Sequence, residues 1–224
     1  MNRLHFILLS PTMLAMNKLA GRPRAADLEA RHQNLIETAG QLFLKIGYGK
    51  VSLELIAREA HVAVRTIYVK FGGKAGLFQA VVAANRDKFI PPQQMVSDMR
   101  PLRQVVGGFA EHFLALISAP DALEIQRMVI TEAKTNPELA SSFYEAGPKL
   151  ARDMLGRYFA RPDVRVQLRD ELELDLIPTF LTTCIVGDGF ARFLFNPADQ
   201  PADEVSRRLQ QRLELFYAAV LKPV

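Results

Sequence analysis

The sequence predicts an all-α protein, with a small N-terminal three-helix head containing a helix-turn-helix and a larger helical bundle behind it. Three observations support this prediction. Apolar side chains recur at helical spacing through most of the 224 residues. No segment shows the alternation of apolar and polar residues that a half-buried strand requires. Basic residues cluster near the N-terminus, where residues 17–74 hold ten Lys and Arg against five Asp and Glu.

Composition excludes several classes of function. With 49% apolar and 23% charged residues, the chain has the balance of a globular protein. Its single cysteine, Cys184, excludes an internal disulfide and a cysteine-rich zinc site, and suits the reducing cytoplasm. The four histidines lack metal-ligand spacing. There is no glycine-rich phosphate loop and no Ser-His-Asp or Cys-His arrangement, so we expect no enzymatic activity, no metal, no cofactor and a cytoplasmic location.

Residues 1–26 are predicted to form a flexible extension that ends in a basic arm. Residues 4–9 imitate the apolar part of a secretory signal, but Pro11 interrupts it and basic residues follow. Two readings are therefore preferred to export. Either the extension is flexible, or translation begins at Met13 or Met16. Residues 18–24 contain Gly-Arg-Pro-Arg, which resembles the flexible basic arms with which some DNA-binding proteins reach phosphates or a narrow minor groove.

The head is predicted over residues 27–73. Its first helix spans 27–47 and is closed by Gly47. The apolar stripe of that helix comprises Leu35, Ala39, Leu42, Phe43 and Ile46. Ser52 is a favourable N-cap for a short second helix that ends near Ala60. A third helix, also short, follows over 63–70, so the second and third helices have the order of a helix-turn-helix.

The residue order from about 28 to 82 resembles the DNA-binding domain of the TetR family of transcriptional regulators. The resemblance rests on LFLKIGYGKVS, then IAREAHVAVRTIYVKF, and on the spacing Ile-Tyr-x-x-Phe-x-x-Lys. Two departures from the family pattern are informative. His61 replaces the usual turn glycine and is expected to adopt a positive φ. Ala63 replaces the usual capping serine, so one cap hydrogen bond worth roughly 1 kcal/mol is expected to be missing.

The helix over 63–70 is the predicted recognition helix, and its partner is double-stranded DNA. Arg65 is expected to read a guanine through its O6 and N7 atoms, and Val64 to contact a thymine methyl group. The family resemblance implies phosphate contacts for four further residues, with Lys70 able to reach a base or a phosphate. These four residues are Ser52, Thr66, Tyr68 and Lys74.

Residues 74–224 are predicted to form the effector-binding and dimerisation domain. Helical spacing predicts helices over 74–89, 102–118, 120–135, 137–160, 168–195 and 203–221. Residues 176–195 are apolar enough to raise the alternative of a membrane span. However, Pro178, Asp188 and Arg192 would be costly in lipid, so we expect no membrane association.

The last two predicted helices are expected to build a homodimer interface, with two helices from each subunit. Small residues on the first and apolar residues on the second would allow close packing. The predicted interface residues are Phe180, Cys184, Gly187, Ala191, Leu209, Leu213, Phe216 and Tyr217. The alternative is that both helices bury these faces within one subunit. The dimer is preferred because one recognition helix reads only half of a palindromic operator.

The segment FYEAGPKLARDMLGRYFARPDV is similar to the C-terminal domain of AefR-like members of the family. This resemblance implies a pocket for a small apolar effector, with His112, Glu132 and Arg152 as polar anchors. The candidate lining is Phe109, His112, Phe113, Met128, Glu132, Phe143, Tyr144, Arg152 and Phe159. The alternative is that the aromatic and methionine side chains form ordinary core.

The sequence therefore predicts a DNA-binding transcriptional regulator, with repression relieved by a small apolar ligand. An effector-independent or architectural DNA-binding protein and a transcriptional activator remain as alternatives.

Overall fold

The structure, a computed structural model, describes residues 25–89, 92–187, 195 and 201–223. Within these ranges the chain is helical, and its helices are numbered here in chain order. They are α1 (Ala25–Ile46), α2 (Leu53–Glu59), α3 (Val64–Phe71), α4 (Lys74–Asp87), α5 (Pro92–Ser97), α6 (Leu102–Ser118), α7 (Pro120–Glu132), α8 (Pro137–Tyr144), α9 (Leu150–Phe159), α10 (Pro162–Arg165), α11 (Leu176–Val186) and α12 (Ala202–Val220). The all-α prediction is confirmed.

The helix-turn-helix consists of α2 and α3, and its local chemistry follows the sequence closely. The Oγ atom of Ser52 accepts a hydrogen bond from the Leu55 amide at 3.1 Å, which caps α2. His61 in the turn has a φ of 54°, and it is the one residue other than glycine with a positive φ in the described chain. Ala63 precedes α3 without a side-chain cap. All three expectations are confirmed.

Helix α4 completes the core of the head. Its Phe78 forms edge-to-face contacts with Phe43 of α1 and Tyr48 of the α1–α2 turn, with ring centroids 5.6 Å apart in both pairs. Ile67 of α3 is fully buried in the same cluster. The cluster continues without a break into the bundle through residues of α7 and α8, namely Ile125, Met128, Val129 and Leu139. The head is therefore packed directly on the bundle.

The bundle has a second core, formed by α6, α9, α11 and α12. Among its most buried members are Val106, Leu155, Leu181 and Leu213, one from each of these helices. Helix α11 packs against both α12 and α6, and α12 also packs against α6.

The predictions of two helices in the bundle, over 137–160 and 168–195, are wrong in part. The segment predicted as one helix over 137–160 is divided by a π-helical turn, Glu145–Lys149, that contains Pro148. Proline lacks an amide hydrogen and its ring collides with the preceding turn, so the backbone widens there. Residues 168–175 are not helical, because Leu168 forms an isolated antiparallel bridge with Leu221 at the end of α12.

The ends of other helices also differ from the prediction. Helix α11 ends at Val186, and Gly187 follows with a φ of 51°. Residues 188–194, predicted to continue this helix, lie outside the described residues. Helices α5 and α10 were not predicted, because four to six residues are too few to show helical spacing. None of the helices described is long and apolar enough to cross a membrane.

Candidate DNA interface and effector cavity

Helix α3 has one face buried in the head and one face open to solvent. Ile67 is fully buried on the inner face. Arg65, Tyr68 and Val69 lie at i, i+3 and i+4 and share the outer face. The exposed fractions of Tyr68 and Val69 are 57% and 73%, and Arg65 is also exposed. An α-helix fits the major groove of B-DNA, so this outer face has the shape and the chemistry to read base edges.

The structure distinguishes the two valines that flank this face. Val64, predicted to contact a thymine methyl group, is half-buried and packs against the head core. Val69 is much more exposed, although the sequence analysis did not select it. Its spacing of four residues from Arg65 was the available signal, because residues at i and i+4 lie on one side of a helix.

The C-terminal end of α3 is held by α1. The ring of His32 stacks on Phe71, with centroids 5.2 Å apart and an angle of 9° between the planes. The Nζ atom of Lys70 lies 3.5 Å from Nδ1 of His32. Helix α4 also approaches this end closely, because a Cβ on Gly76 would overlap the carbonyl oxygen of Phe71. The direction of α3 is thus set by α1 and α4 together.

The residues assigned to phosphate contact lie in different environments. Ser52 and Lys70 are exposed, while Thr66 is half-buried. Lys74 in the first turn of α4 is half-buried, with its Nζ atom 4.4 Å from the centroid of the Tyr48 ring. Burial lowers the pKa of Lys74, while the nearby carboxylates of Glu132 and Glu138 oppose that shift.

A carboxylate joins the bundle to the head next to Lys74. Glu132 is the last residue of α7, and its Oε1 atom accepts a hydrogen bond from the Tyr48 amide at 3.1 Å. Its Oε2 atom accepts one from the Gly49 amide at 2.7 Å. A Cβ on Gly47 would lie 2.8 Å from Oε1, and Gly47 has a φ of 91°, so glycine is required there for two reasons.

The side chain of Tyr48 adds a further contact across the same place. Its hydroxyl group lies near the carboxylate of Glu138 of α8, and burial, followed by the charge of Glu138, raises the pKa of Tyr48. We call the set Tyr48, Gly49, Lys74, Glu132 and Glu138 the head–bundle junction. None of these five residues was predicted from the sequence to join the head to the bundle, because the contacts link residues that are distant along the chain.

A cavity of about 380 Å³ lies inside the bundle. Helices α4, α6, α7, α9 and α11 enclose it, together with Phe143 of α8 and the π-helical turn. Most of its lining is apolar, including Val82, Phe113, Leu116, Ile117, Ile125, Val129, Phe143 and Met154. A few polar side chains interrupt this lining, as in many small-molecule sites: Asn85, Arg86, Gln126, Arg152 and Thr182.

The predicted pocket residues divide into two groups. Phe113, Phe143 and Arg152 line the cavity. The other six are not among its lining residues: Phe109, Met128 and Phe159 are buried in the two cores, His112 is exposed, Tyr144 is 41% exposed beside Arg152, and Glu132 lies at the head–bundle junction. Helical spacing identifies the apolar face of a helix, but not which part of that face meets a cavity.

Two family models match the chain and together cover the head and the bundle. The model of bacterial regulatory proteins of the tetR family matches residues 35–81. The model of the C-terminal domain of AefR-like transcriptional repressors matches residues 104–219, which is more than half of the chain. The chain belongs to the TetR family of transcriptional regulators. It is therefore a DNA-binding regulator with a helix-turn-helix, and not an enzyme.

Individual relatives agree with this assignment. The chain is 24% identical over 178 residues to the HTH-type transcriptional regulator YdeS of Bacillus subtilis (strain 168), with 77% of this chain and 86% of YdeS covered. A TetR-family regulator from Mesorhizobium loti has a TM-score of 0.70 at 21% identity, covering 90% of this chain and all of the other. The flavonoid-responsive regulator FrrA has a TM-score of 0.67 at 21% identity, covering 88% of this chain and all of FrrA.

The interface residues predicted on the last helix of this TetR-family chain need correction. Leu209, Leu213, Phe216 and Tyr217 are at most 4% exposed and belong to the core of their own subunit. They follow the alternative of burial within one subunit, because α12 turns this face towards α6 and α11.

The outer surface of α11 and α12 retains other apolar side chains. Phe180 is 41% exposed, Cys184 is half-buried and Gly187 is exposed. Ala191 lies outside the described residues, as does the basic arm of residues 18–24. Leu176 and Leu215 are 60% and 70% exposed, and the sequence analysis did not select either residue.

No group of three or more His, Cys, Asp or Glu side chains is arranged to hold a metal ion in the part of the chain that the structure describes.

Proposed function

We propose that this TetR-family regulator is a cytoplasmic homodimeric repressor, which binds a palindromic operator and is released by a small apolar effector held in the cavity. One observation carries the proposal: α4 lines the cavity at one end and supports the recognition helix at the other. Val82 and Arg86 face the cavity, whereas Gly76 lies against Phe71 at the end of α3. An effector that moves α4 would therefore move the reading face.

The outer face of α3 supplies the specificity in this proposal. Arg65 would donate two hydrogen bonds to the O6 and N7 atoms of a guanine, and Val69 would contact a thymine methyl group more readily than Val64. Phosphate contacts from neighbouring residues would fix the register of the head without reading sequence. We assign these contacts to Ser52, Thr66, Tyr68, Lys70 and Lys74.

Dimerisation is assigned to the outer surface of α11 and α12. The three exposed apolar side chains Leu176, Phe180 and Leu215 are costly to leave in water, and covering them with a second copy would remove that cost. The rings of Phe180 and Phe216 lie 5.5 Å apart, so this surface rests on the bundle core. A symmetric dimer presents two heads, as a palindromic operator requires.

Helix α7 provides a second connection between the cavity and the head. Gln126, Val129 and Ile130 line the cavity. Glu132, at the end of the same helix, accepts hydrogen bonds from the backbone amides of Tyr48 and Gly49 at the head–bundle junction. An effector that binds better when α4 and α7 are shifted would favour the state in which the two heads no longer match the operator. The loss of DNA affinity would equal the differential affinity of the effector for the two states.

The comparisons lend support to both halves of this proposal. The family model that matches the bundle describes transcriptional repressors, and the structurally similar FrrA is described as flavonoid-responsive. A cavity of about 380 Å³ falls within the range for small-molecule sites. An architectural DNA-binding protein would instead be expected to have a filled bundle.

The proposal can be tested in two stages with the full chain. Selection from random duplexes should yield an inverted repeat, bound by a dimer with an affinity that falls steeply as salt is raised. Transcription in vitro from a promoter that carries this repeat should decrease when the protein is added. Increased transcription would indicate an activator, and selection of no common sequence would indicate an architectural protein.

The second stage tests the cavity. A compound from a library of apolar molecules that binds the protein should lower the affinity of the protein for the selected duplex. Ile130→Trp is a suitable variant, because Ile130 lines the cavity and is 58% exposed, so a larger side chain can narrow the mouth at low cost to folding. This variant should keep its DNA affinity and lose its response to the compound. An unchanged response would place the effector elsewhere.

A further inference from the structure

We propose that the effector of this protein carries an anionic group on its apolar body, and that Arg152 binds that group at the mouth of the cavity. The inference deepens the proposed function and rests on it. It concerns the sign of charge that the site selects, which the family assignment does not specify.

The charged residues on the cavity wall all have the same sign. Among the described residues, Arg86 and Arg152 are the charged side chains that line it, and neither Asp nor Glu does so. The charge of Arg86 is already compensated. Its Nε and Nη2 atoms donate to Oδ1 of Asp87 at 2.8 and 2.6 Å, and its Nη1 atom donates to the Ala146 carbonyl oxygen at 2.8 Å. Arg86 therefore acts as a structural contact between α4 and the π-helical turn.

Arg152 on α9 has a different environment. Its Nη1 atom donates to the hydroxyl oxygen of Tyr144 at 3.1 Å, and the structure records no ion pair for it within the described residues. A guanidinium group has five N–H donors, so most of its donors remain available. Arg152 is exposed and lines both the cavity and a shallow groove between α9 and α11, so it stands where the apolar interior meets solvent.

This position suits an amphipathic anion. The apolar part of such a ligand would enter the cavity beside Phe113, Phe143 and Val129 and be removed from water. Its carboxylate would remain at the mouth, where desolvation is incomplete, and accept charge-assisted hydrogen bonds from Arg152. A cation in the same place would meet the positive charge of Arg152, and no Asp or Glu among the described residues lines the cavity, because the carboxylates of Asp153 and Asp175 line the adjoining groove instead. The cavity should therefore select anions over neutral compounds, and neutral compounds over cations.

Three probes with the same ten-carbon chain test this order. Decanoate, decanol and decyltrimethylammonium are titrated by calorimetry into the full chain, all below the concentrations at which they form micelles. Decanoate is expected to bind about fivefold or more tightly than decanol, from the charge-assisted hydrogen bonds to Arg152. Decyltrimethylammonium is expected to bind most weakly. Equal affinity for all three probes would overturn the charge selection, while leaving an apolar effector site intact.

Two substitutions on α9 test whether Arg152 is the residue that causes the preference for anionic ligands. Arg152→Met should weaken decanoate binding about fivefold or more and leave decanol binding unchanged, whereas Arg152→Glu should make the cation bind more tightly than decanoate. Arg157→Met is the matched control, because Arg157 is exposed on the same helix and lines the adjoining groove but not the cavity. If Arg152→Met and Arg157→Met weakened decanoate equally, the effect would be one of net charge and the assignment to Arg152 would be wrong.

One further outcome separates this inference from the function on which it rests. If none of the three probes bound the unmodified protein, or if Ile130→Trp left decanoate binding unchanged, the cavity would not be a site for apolar ligands. The effector role proposed for the cavity would then be wrong, and the charge selection would be wrong with it.

Discussion

The Oε2 atom of Glu132 lies 2.7 Å from the amide nitrogen of Gly49, and the two residues are 83 positions apart in the chain. This hydrogen bond joins the end of α7, a helix that lines the cavity, to the turn that leads into the helix-turn-helix. The other carboxylate oxygen accepts a hydrogen bond from the neighbouring Tyr48 amide, so both oxygens of the Glu132 side chain bind the same turn. The bundle and the head thus meet at a defined polar contact as well as through apolar packing.

Removing this contact should lower stability. In Glu132→Ala, the Tyr48 and Gly49 amides lose their carboxylate acceptor, and the free energy of unfolding should fall by about 1–3 kcal/mol. Urea denaturation followed by circular dichroism measures this change. Glu124→Ala is the control, because Glu124 is an exposed carboxylate on the same helix whose recorded contact is a surface ion pair with Arg127. Equal losses in the two variants would show that the junction contact adds no stability.

Substitutions on α3 should separate the reading of bases from the attraction to phosphate. Arg65→Ala is expected to lower affinity for the selected operator by about 1–3 kcal/mol more than for a random duplex. Arg58→Ala removes the same charge from α2, where Arg58 pairs with Glu59, and should leave the ratio of the two affinities unchanged. Fluorescence anisotropy with both duplexes measures the ratio. Equal losses on both duplexes for Arg65→Ala would exclude a base-reading role.

The side chain at position 69 offers a sharper test of the reading face. Val69→Ala should reduce specificity at one base pair, because the smaller side chain loses contact with a thymine methyl group. Val64→Ala should affect protein stability more than specificity, since Val64 packs against the head core. Operator variants with uracil in place of thymine identify the base pair. If Val64→Ala rather than Val69→Ala removed the preference for the methyl group, the orientation assigned to α3 would be incorrect.

A charge on the outer surface of α12 should prevent dimerisation. Leu215→Glu places a carboxylate on a position that is 70% exposed in one subunit, so the fold should tolerate it, whereas burial against a second subunit should not. Sedimentation velocity is expected to show a dimer for the unmodified protein and a monomer for the variant. Val166→Glu is a control at another apolar position with 66% exposure. A dimer that persisted in Leu215→Glu would require a different interface.

Buried tyrosines should make the protein sensitive to alkali. Burial raises the pKa of Tyr158 and of Tyr217 to about 12, from an ordinary value of 10.0. The unfolded chain therefore releases these protons first, and the free energy of unfolding should fall as pH rises from 10 towards 12. Below pH 10 both states keep the protons and these groups cause no change. Urea denaturation of Tyr158→Phe should show a shallower fall than the unmodified protein, and equal slopes would contradict the assignment.

Local features of the fold followed from residues that are neighbours in the chain. The cap at Ser52 depends on a few consecutive residues, so the sequence was sufficient to predict it. The positive φ of His61 and the missing cap at Ala63 were expected because both residues depart from the pattern of the family that the segment resembles. The division of the segment over 137–160 was also encoded locally by Pro148, although helical spacing on either side concealed it. The bridge of Leu168 to Leu221 joins distant residues and had no such local signal.

By itself, the sequence determined the class of this protein: an all-α chain with a helix-turn-helix in a basic head. These properties arise from helical periodicity, capping and charge, which act over one or two turns. The tertiary structure alone decided that Leu213 is core while Leu215 is exposed, that Arg152 borders the cavity, and that Glu132 meets Gly49. Such contacts depend on how helices pack against one another, and the spacing of residues along one helix does not specify its neighbours.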